Sequence, residues 1–145
     1  MIDSILLVDD EDLFHLVFED ACSLLDISLS LNALNSSDEA AKKFEKWFKS
    51  GDDNDKPDCV FVDLNIIGSS FDGIELIRKI NFEYGNHVVV GIISSSNESE
   101  EQAKAIQAGA QFWIIKSDDI EPRLEEFRKD YDGYKNRTAP FKVYK

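Results

Sequence analysis

Two adjacent carboxylates, Asp9 and Asp10, follow a short apolar run at residues 5–8. A third, Asp63, ends the run 59–62; Ser94 ends 88–93, and Lys116 ends 112–115. Three carboxylates brought to one place repel one another, which raises at least one pKa or demands a cation. A hard divalent ion such as Mg2+ meets that demand with oxygen ligands and retained waters. Lys116 would add a movable point charge, and Ser94 a hydroxyl able to bond a phosphoryl oxygen. Such a set fits phosphoryl transfer, which is mostly positioning and charge neutralisation, and an aspartate can itself be the nucleophile that becomes an aspartyl phosphate. Taken singly, the same residues have plainer roles: an acidic pair at a helix start, a solvated strand-end lysine and an ordinary serine loop at 94–96.

Each of these residues needs a strand to carry it. Residues 5–8, 59–62, 88–93 and 112–115 are nearly continuous apolar runs, as strands buried on both faces should be. Residues 29–33 alternate with period two, as a half-exposed strand would. Helical spacing lies between them. Leu13, Val17, Ala21, Leu24 and Leu25 form a stripe within 12–25. Ser36 and Glu39 stand at capping-box spacing before an apolar face of Ala40, Ala41, Phe44, Trp47 and Phe48. After a breaker cluster at 51–57, a helix from Asp72 carries Ile74, Leu76, Ile77 and Ile80. Another starts at 97–99, carries Ala103, Ile106 and Ala108, and ends at Gly109. The last, about 119–129, has Pro122 in its first turn and Leu124 and Phe127 inward. Five strand–helix repeats predict an α/β fold, a doubly wound five-stranded parallel sheet with helices on both faces, because parallel strands need crossover helices. In such folds ligands bind beyond the carboxyl ends of the strands, which is where the chemically able residues fall.

The strings Leu7-Val8-Asp9-Asp10-Glu11, Val62-Asp63-Leu64-Asn65 followed by Asp72-Gly73, Ser94-Ser95, Ala108-Gly109-Ala110 and Ile115-Lys116 closely resemble the receiver domain of bacterial response regulators, a CheY-like, flavodoxin-like fold. Five strings in the family's order and spacing cover about residues 3–130. The resemblance implies that Asp63 is the phosphoacceptor, and that Asp9 and Asp10 hold Mg2+ with Asp63 and the Asn65 backbone carbonyl. It implies that Ser94 and Lys116 bind the phosphoryl group, that small Ser95 leaves the site open, and that Trp113 stands at the aromatic switch position. It further implies a phosphohistidine donor on a sensor histidine kinase or histidine phosphotransfer protein, and later removal of the phosphoryl group by water. The chain departs from the family pattern in four ways: Ser117 and Ile67 stand where proline is usual, Trp113 is bulkier than the usual Tyr or Phe at the switch position, and the segment from Asp63 to Asp72-Gly73 is about two residues longer, so a loop of its own shape is expected there.

Composition bounds the rest. The chain has 145 residues, 43% of them hydrophobic, with ten Phe, enough for one folded domain. Acids outnumber bases 29 to 16, and the net charge of -13 argues against sequence-independent binding to nucleic acid or an anionic membrane. No basic leader or long apolar span is visible, so a cytoplasmic protein without membrane insertion is expected. Cys22 and Cys59 lack ligand spacing and read as reduced core residues. Neither the phosphate-binding G-x-x-x-x-G-K-[ST] string nor the G-x-S-x-G elbow occurs. Residues 1–130 are read as the receiver domain and 131–145 as a basic, aromatic tail with a net +3. The reading is a stand-alone response regulator that signals to a downstream protein by contact and is not an enzyme beyond its own phosphorylation and dephosphorylation. Two rivals share its residues: a receiver-like interaction module independent of phosphorylation, and a Mg2+-dependent phosphohydrolase, which would need a cap that no segment is long enough to form.

Overall fold

The computed structural model describes residues 2–51, 56–85 and 87–145; residues 52–55 of the breaker cluster lie outside the described residues. The elements run β1 (Ile2–Val8), α1 (Asp12–Leu25), β2 (Ser28–Leu34), α2 (Ser37–Phe48), β3 (Cys59–Asp63), α3 (Gly73–Tyr84), β4 (Val89–Ser94), α4 (Ser99–Ala108), β5 (Phe112–Ile115), α5 (Glu121–Lys135) and β6 (Lys142–Tyr144). They form one sheet in the order β2-β1-β3-β4-β5-β6, and every neighbouring pair is parallel. The half-exposed reading of β2 agrees with its edge position.

Alternation along the inner strands builds two cores. Leu6, Val8, Val60, Val62, Val90 and Ile92 face α2, α3 and α4. Ile5, Leu7, Cys59, Phe61, Phe112 and Ile114 face α1 and α5. The second core is an aromatic pile: Phe61 meets Phe18, Phe112 and Phe127 with ring centroids 5.0, 5.2 and 5.3 Å apart, in edge-on geometry.

The helix termini follow the sequence signals. Ser36 caps α2, its side chain accepting from the Glu39 N–H, and Asp72 and Glu75 form a reciprocal capping box at the start of α3. Gly109 ends α4 in the left-handed region.

Two helical faces differ from the spacing argument. On α1 the buried residues are Phe14, Phe18, Ala21 and Cys22, whereas Leu13 and Leu24, assigned inward, are 74% and 68% exposed. The helix is turned by about one position because the Phe14–Phe18 pair fills the space against Phe61, where a leucine stripe would be too small. On α4 the buried residues are Ala105 and Ala108; Ala103 and Ile106 face outward.

The sheet has six strands, not five, and the segment read as a tail belongs to it. Helix α5 continues to Lys135, burying Tyr131 and Tyr134. The chain then turns back and β6 pairs with β5, Trp113 opposite Val143 and Ile114 opposite Tyr144. The Tyr134 hydroxyl lies 2.8 Å from that of Tyr144, which in turn donates to Asp130 at 2.7 Å. The stripe Leu124, Phe127, Tyr131, Tyr134 was hidden in the sequence by charged residues and Gly133, and a three-residue strand is too short to show a period.

Gly91 lies under the Phe112 ring: a Cβ there would come within 2.5 Å of it. Since that ring is packed against Phe61 and Phe127, it has no free direction in which to yield. Gly91→Ala should therefore destabilise the protein by about 1–3 kcal/mol, read as a lower urea midpoint at unchanged slope; an unshifted midpoint would show that the core is looser than this.

Candidate functional site

Because β1, β3, β4 and β5 are parallel and adjacent, their carboxyl ends open on one side, and the chemically able residues stand there together. Asp9 follows β1, Asp63 ends β3, Ser94 ends β4 and Lys116 follows β5. Ligand oxygens of Asp9, Asp10 and Asp63 all lie within 4.8 Å of one another. Asp9 is fully buried, Asp63 nearly so and Asp10 half-buried.

The Lys116 side chain, 10% exposed, crosses this pocket. Its ammonium lies 2.9 Å from Asp9 Oδ2, 2.5 Å from Glu11 Oε1 and 3.7 Å from Asp63 Oδ2. It also sits over the Phe14 ring, 4.6 Å from the centroid. Burial alone would lower the lysine pKa, but its contacts with Asp9, Glu11 and Asp63 outweigh that and raise it, so the cation is retained.

Asp63 responds oppositely. Burial first, then the neighbouring charges of Asp9 and Asp10, push its carboxyl from 3.8 up to about 7, against the pull of Lys116 and the Asn65 backbone N–H. One ammonium is too little charge for three carboxylates. The ammonium beside Asp9 Oδ2 serves Glu11 as well, so the converging oxygens of Asp9, Asp10 and Asp63 carry more negative charge than it balances. Such an all-oxygen, largely buried set fits a hard divalent cation of the Mg2+ class.

Ser94 is buried next to this cluster, one step beyond Ile93, the β4 partner of Asp63. Its Oγ accepts from the Ser96 N–H at 3.1 Å, which leaves the hydroxyl proton free to be donated. Asn65 and Ser95 are exposed at the rim. Trp113 is not at the rim: its ring is fully buried in the core shared with α2, α3 and α4, and Nε1 donates to the Ser96 carbonyl at 3.0 Å.

Gly73 lets α3 begin against β3, since a Cβ there would lie 2.9 Å from the Asp63 carbonyl carbon and closer still to its oxygen. The longer loop between Asp63 and α3 is docked on the start of α2. Buried Ser37 donates from its hydroxyl to the Phe71 carbonyl at 2.7 Å and from its N–H to Ser69 Oγ at 3.0 Å, and Asp38 accepts from the Ser70 N–H at 2.9 Å. Ile67 points outward, 81% exposed.

Sequence reasoning missed two neighbours. Glu11 grips Lys116, and His15 Nε2 lies 2.5 Å from the Asp9 carbonyl oxygen; neither residue was assigned to the site from the sequence. Position relative to Asp9 was the available signal, as both lie within six residues of it, but neither contact follows from spacing.

An acid whose folded-state pKa is raised is a source of stability below its unfolded value, and that contribution disappears as pH climbs through the folded value. In metal-free buffer, Asp63→Asn should thus melt above the unaltered protein at about pH 8 and close to it at about pH 4. Parallel melting curves at the two pH values would show that Asp63 is not strained by its neighbours.

No curated protein matches the chain in sequence. Among solved structures, NtrX from Brucella abortus superposes with a TM-score of 0.76 at 26% identity over 94% of this chain; the match spans only 28% of that longer chain. The phosphorylated cyanobacterial phytochrome response regulator RcpA gives 0.72 at 18% identity, covering 96% of this chain and 97% of that one. The Mn(2+)-bound form of response regulator Rcp1 gives 0.70 at 16%, covering 90% and 92%. Residues 5–126 match the family description of the response regulator receiver domain. With pocket, sheet order and family match in agreement, this chain belongs to the response regulator receiver family.

Proposed function

We propose that this receiver accepts a phosphoryl group on Asp63 from a phosphohistidine of a sensor histidine kinase or histidine phosphotransfer protein, and signals by contact with another protein. The observation that carries the reading is the Asp63 carboxylate at a strand end, beside Asp9 and Asp10 and within 3.7 Å of the Lys116 ammonium.

The nucleophile must be an ionised carboxylate, and burial together with the charges of Asp9 and Asp10 works against ionisation of Asp63. Asp9, Asp10, Asp63 and the Asn65 carbonyl would hold Mg2+, whose charge favours the ionised carboxylate and neutralises phosphoryl oxygens. An Asp63 oxygen attacks phosphorus as the P–N bond breaks; the electron pair goes to the imidazole nitrogen, which then takes a proton. Lys116 shifts from Asp9 and Glu11 towards the new phosphoryl oxygens, and the Ser94 hydroxyl donates to another. Water later attacks phosphorus, releasing inorganic phosphate and restoring the carboxylate. RcpA, described as phosphorylated, and Rcp1, described as Mn(2+)-bound, share the fold and support this assignment.

Incubation with Mg2+ and a small phosphodonor should add the mass of one phosphoryl group, lost in Asp63→Asn and when Mg2+ is chelated. Lys116→Ala should slow the reaction about tenfold or more, or ~1.4 kcal/mol of barrier. No Asp63-dependent mass gain would overturn the reading in favour of an interaction module independent of phosphorylation. No helix among the described residues is long and apolar enough to cross a membrane. A phosphohistidine donor of this class would meet the protein in the cytoplasm, which is the location we propose.

A further inference from the structure

Resting on the phosphoacceptor reading, we propose that β6 is a strap that pins Trp113 and through it sets Ser94, so that docking of the last strand and phosphoryl loading of Asp63 are coupled equilibria.

A continuous chain of contacts runs from β6 to the pocket. Val143 lies opposite Trp113 in the parallel pair and so shares its face of the sheet, and Phe141 and Val143 both pack against the core cluster that contains the Trp113 ring. Trp113 Nε1 holds the Ser96 carbonyl, and the Ser96 N–H holds Ser94 Oγ. Two hydrogen bonds therefore separate the indole from the hydroxyl that faces the phosphoryl position. Without β6, β5 would be the sheet edge and the flank of Trp113 covered by Val143 would face water.

The strap is built to close on this chain rather than to recruit another. Its outer edge carries Lys142 and is preceded by Pro140, both poor templates for further strand pairing. Its anchors all reach back to α5: Tyr144 to Tyr134 and Asp130, and Lys142 to Asp130 at 3.2 Å and Glu126 at 2.7 Å. Only three residues of β6 pair with β5; Lys142 is exposed and Val143 half-buried, while Tyr144 is the one fully buried anchor, so opening the strap withdraws a single core side chain and leaves the other five strands paired. An open strap frees the Trp113–Ser96–Ser94 chain, whose freedom must be removed again when a phosphoryl group binds. Loading is then weaker with the strap open, and by reciprocity loading favours the closed strap.

The test uses the full chain with Trp47→Phe, so that Trp113 alone reports fluorescence. Adding Phe141→Ser and Val143→Ser should shift emission to the red and increase acrylamide quenching without any phosphodonor. It should also raise the beryllium fluoride concentration for half-maximal response with Mg2+ by roughly fivefold or more. Emission and half-saturation equal to the parent's would overturn the proposal. If circular dichroism shows that the double variant does not fold, hydrogen exchange on the unaltered chain decides instead. Amides of residues 142–145 should exchange more slowly with beryllium fluoride and Mg2+, and unchanged exchange would overturn the coupling. If the parent gives no Asp63-dependent response at all, the phosphoacceptor reading falls and the coupling with it, while the quenching comparison separately shows whether β6 holds Trp113.

Discussion

Three carboxylates converge at the carboxyl end of the sheet with a single ammonium between them, and most of the local structure is a response to that excess of negative charge. Asp9 is sealed from water and cannot relieve the repulsion by solvation. Lys116 therefore bridges Asp9, Glu11 and Asp63, with its ammonium over the Phe14 ring. Burial first, and then the repulsion from Asp9 and Asp10 that one cation does not cancel, raise the pKa of Asp63. The repulsion among the three carboxylates is thus a cost to the fold that a bound divalent cation would relieve.

Holding charges at this spacing requires a rigid frame, and the two cores supply it. The aromatic pile of Phe18, Phe61, Phe112 and Phe127 fixes β3 and β5 from one side, while branched aliphatics lock the other. Gly73 and Gly91 mark two places in this frame that leave no room for a side chain: one where α3 begins beside Asp63, the other where Phe112 covers β4. The long loop after Asp63, which lacks the family's usual proline at Ile67, is secured instead by Ser37 and Asp38 at the start of α2. A different local solution thus keeps the mouth of the pocket in place.

The basic carboxyl-terminal residues show how a charge count can mislead about structure. Lys142 pairs with Glu126 and Asp130 on α5, and Arg137 donates to Gln111 and to the Gly85 and Val88 carbonyls. Lys142 thus offsets two acids of the body, and Arg137 ties the segment to the neutral backbone around β4, both from within the fold. Trp113, by the same token, lies between β4 and β6 rather than at a sheet edge, so any motion of the indole has to displace packed strand residues.

The strands, the doubly wound topology and the five residues at the strand ends were legible in the sequence because each depends on local pattern: apolar runs, helical period, and the residue that follows a buried strand. Asp9, Asp63 and Lys116 follow such runs, and parallel topology alone then brings them to one side. The inward face of α1, the grip of Glu11 on Lys116 and the sixth strand were not legible. Phe14 and Phe18 face inward because of the shape of the cavity beside Phe61, Glu11 meets Lys116 across 105 positions of chain, and β6 exists because α5 leaves it beside an open β5 edge. Short-range pattern decided which elements form and which side chains their ends carry; contacts between distant segments, where volume and charge must be satisfied together, decided how those side chains are held.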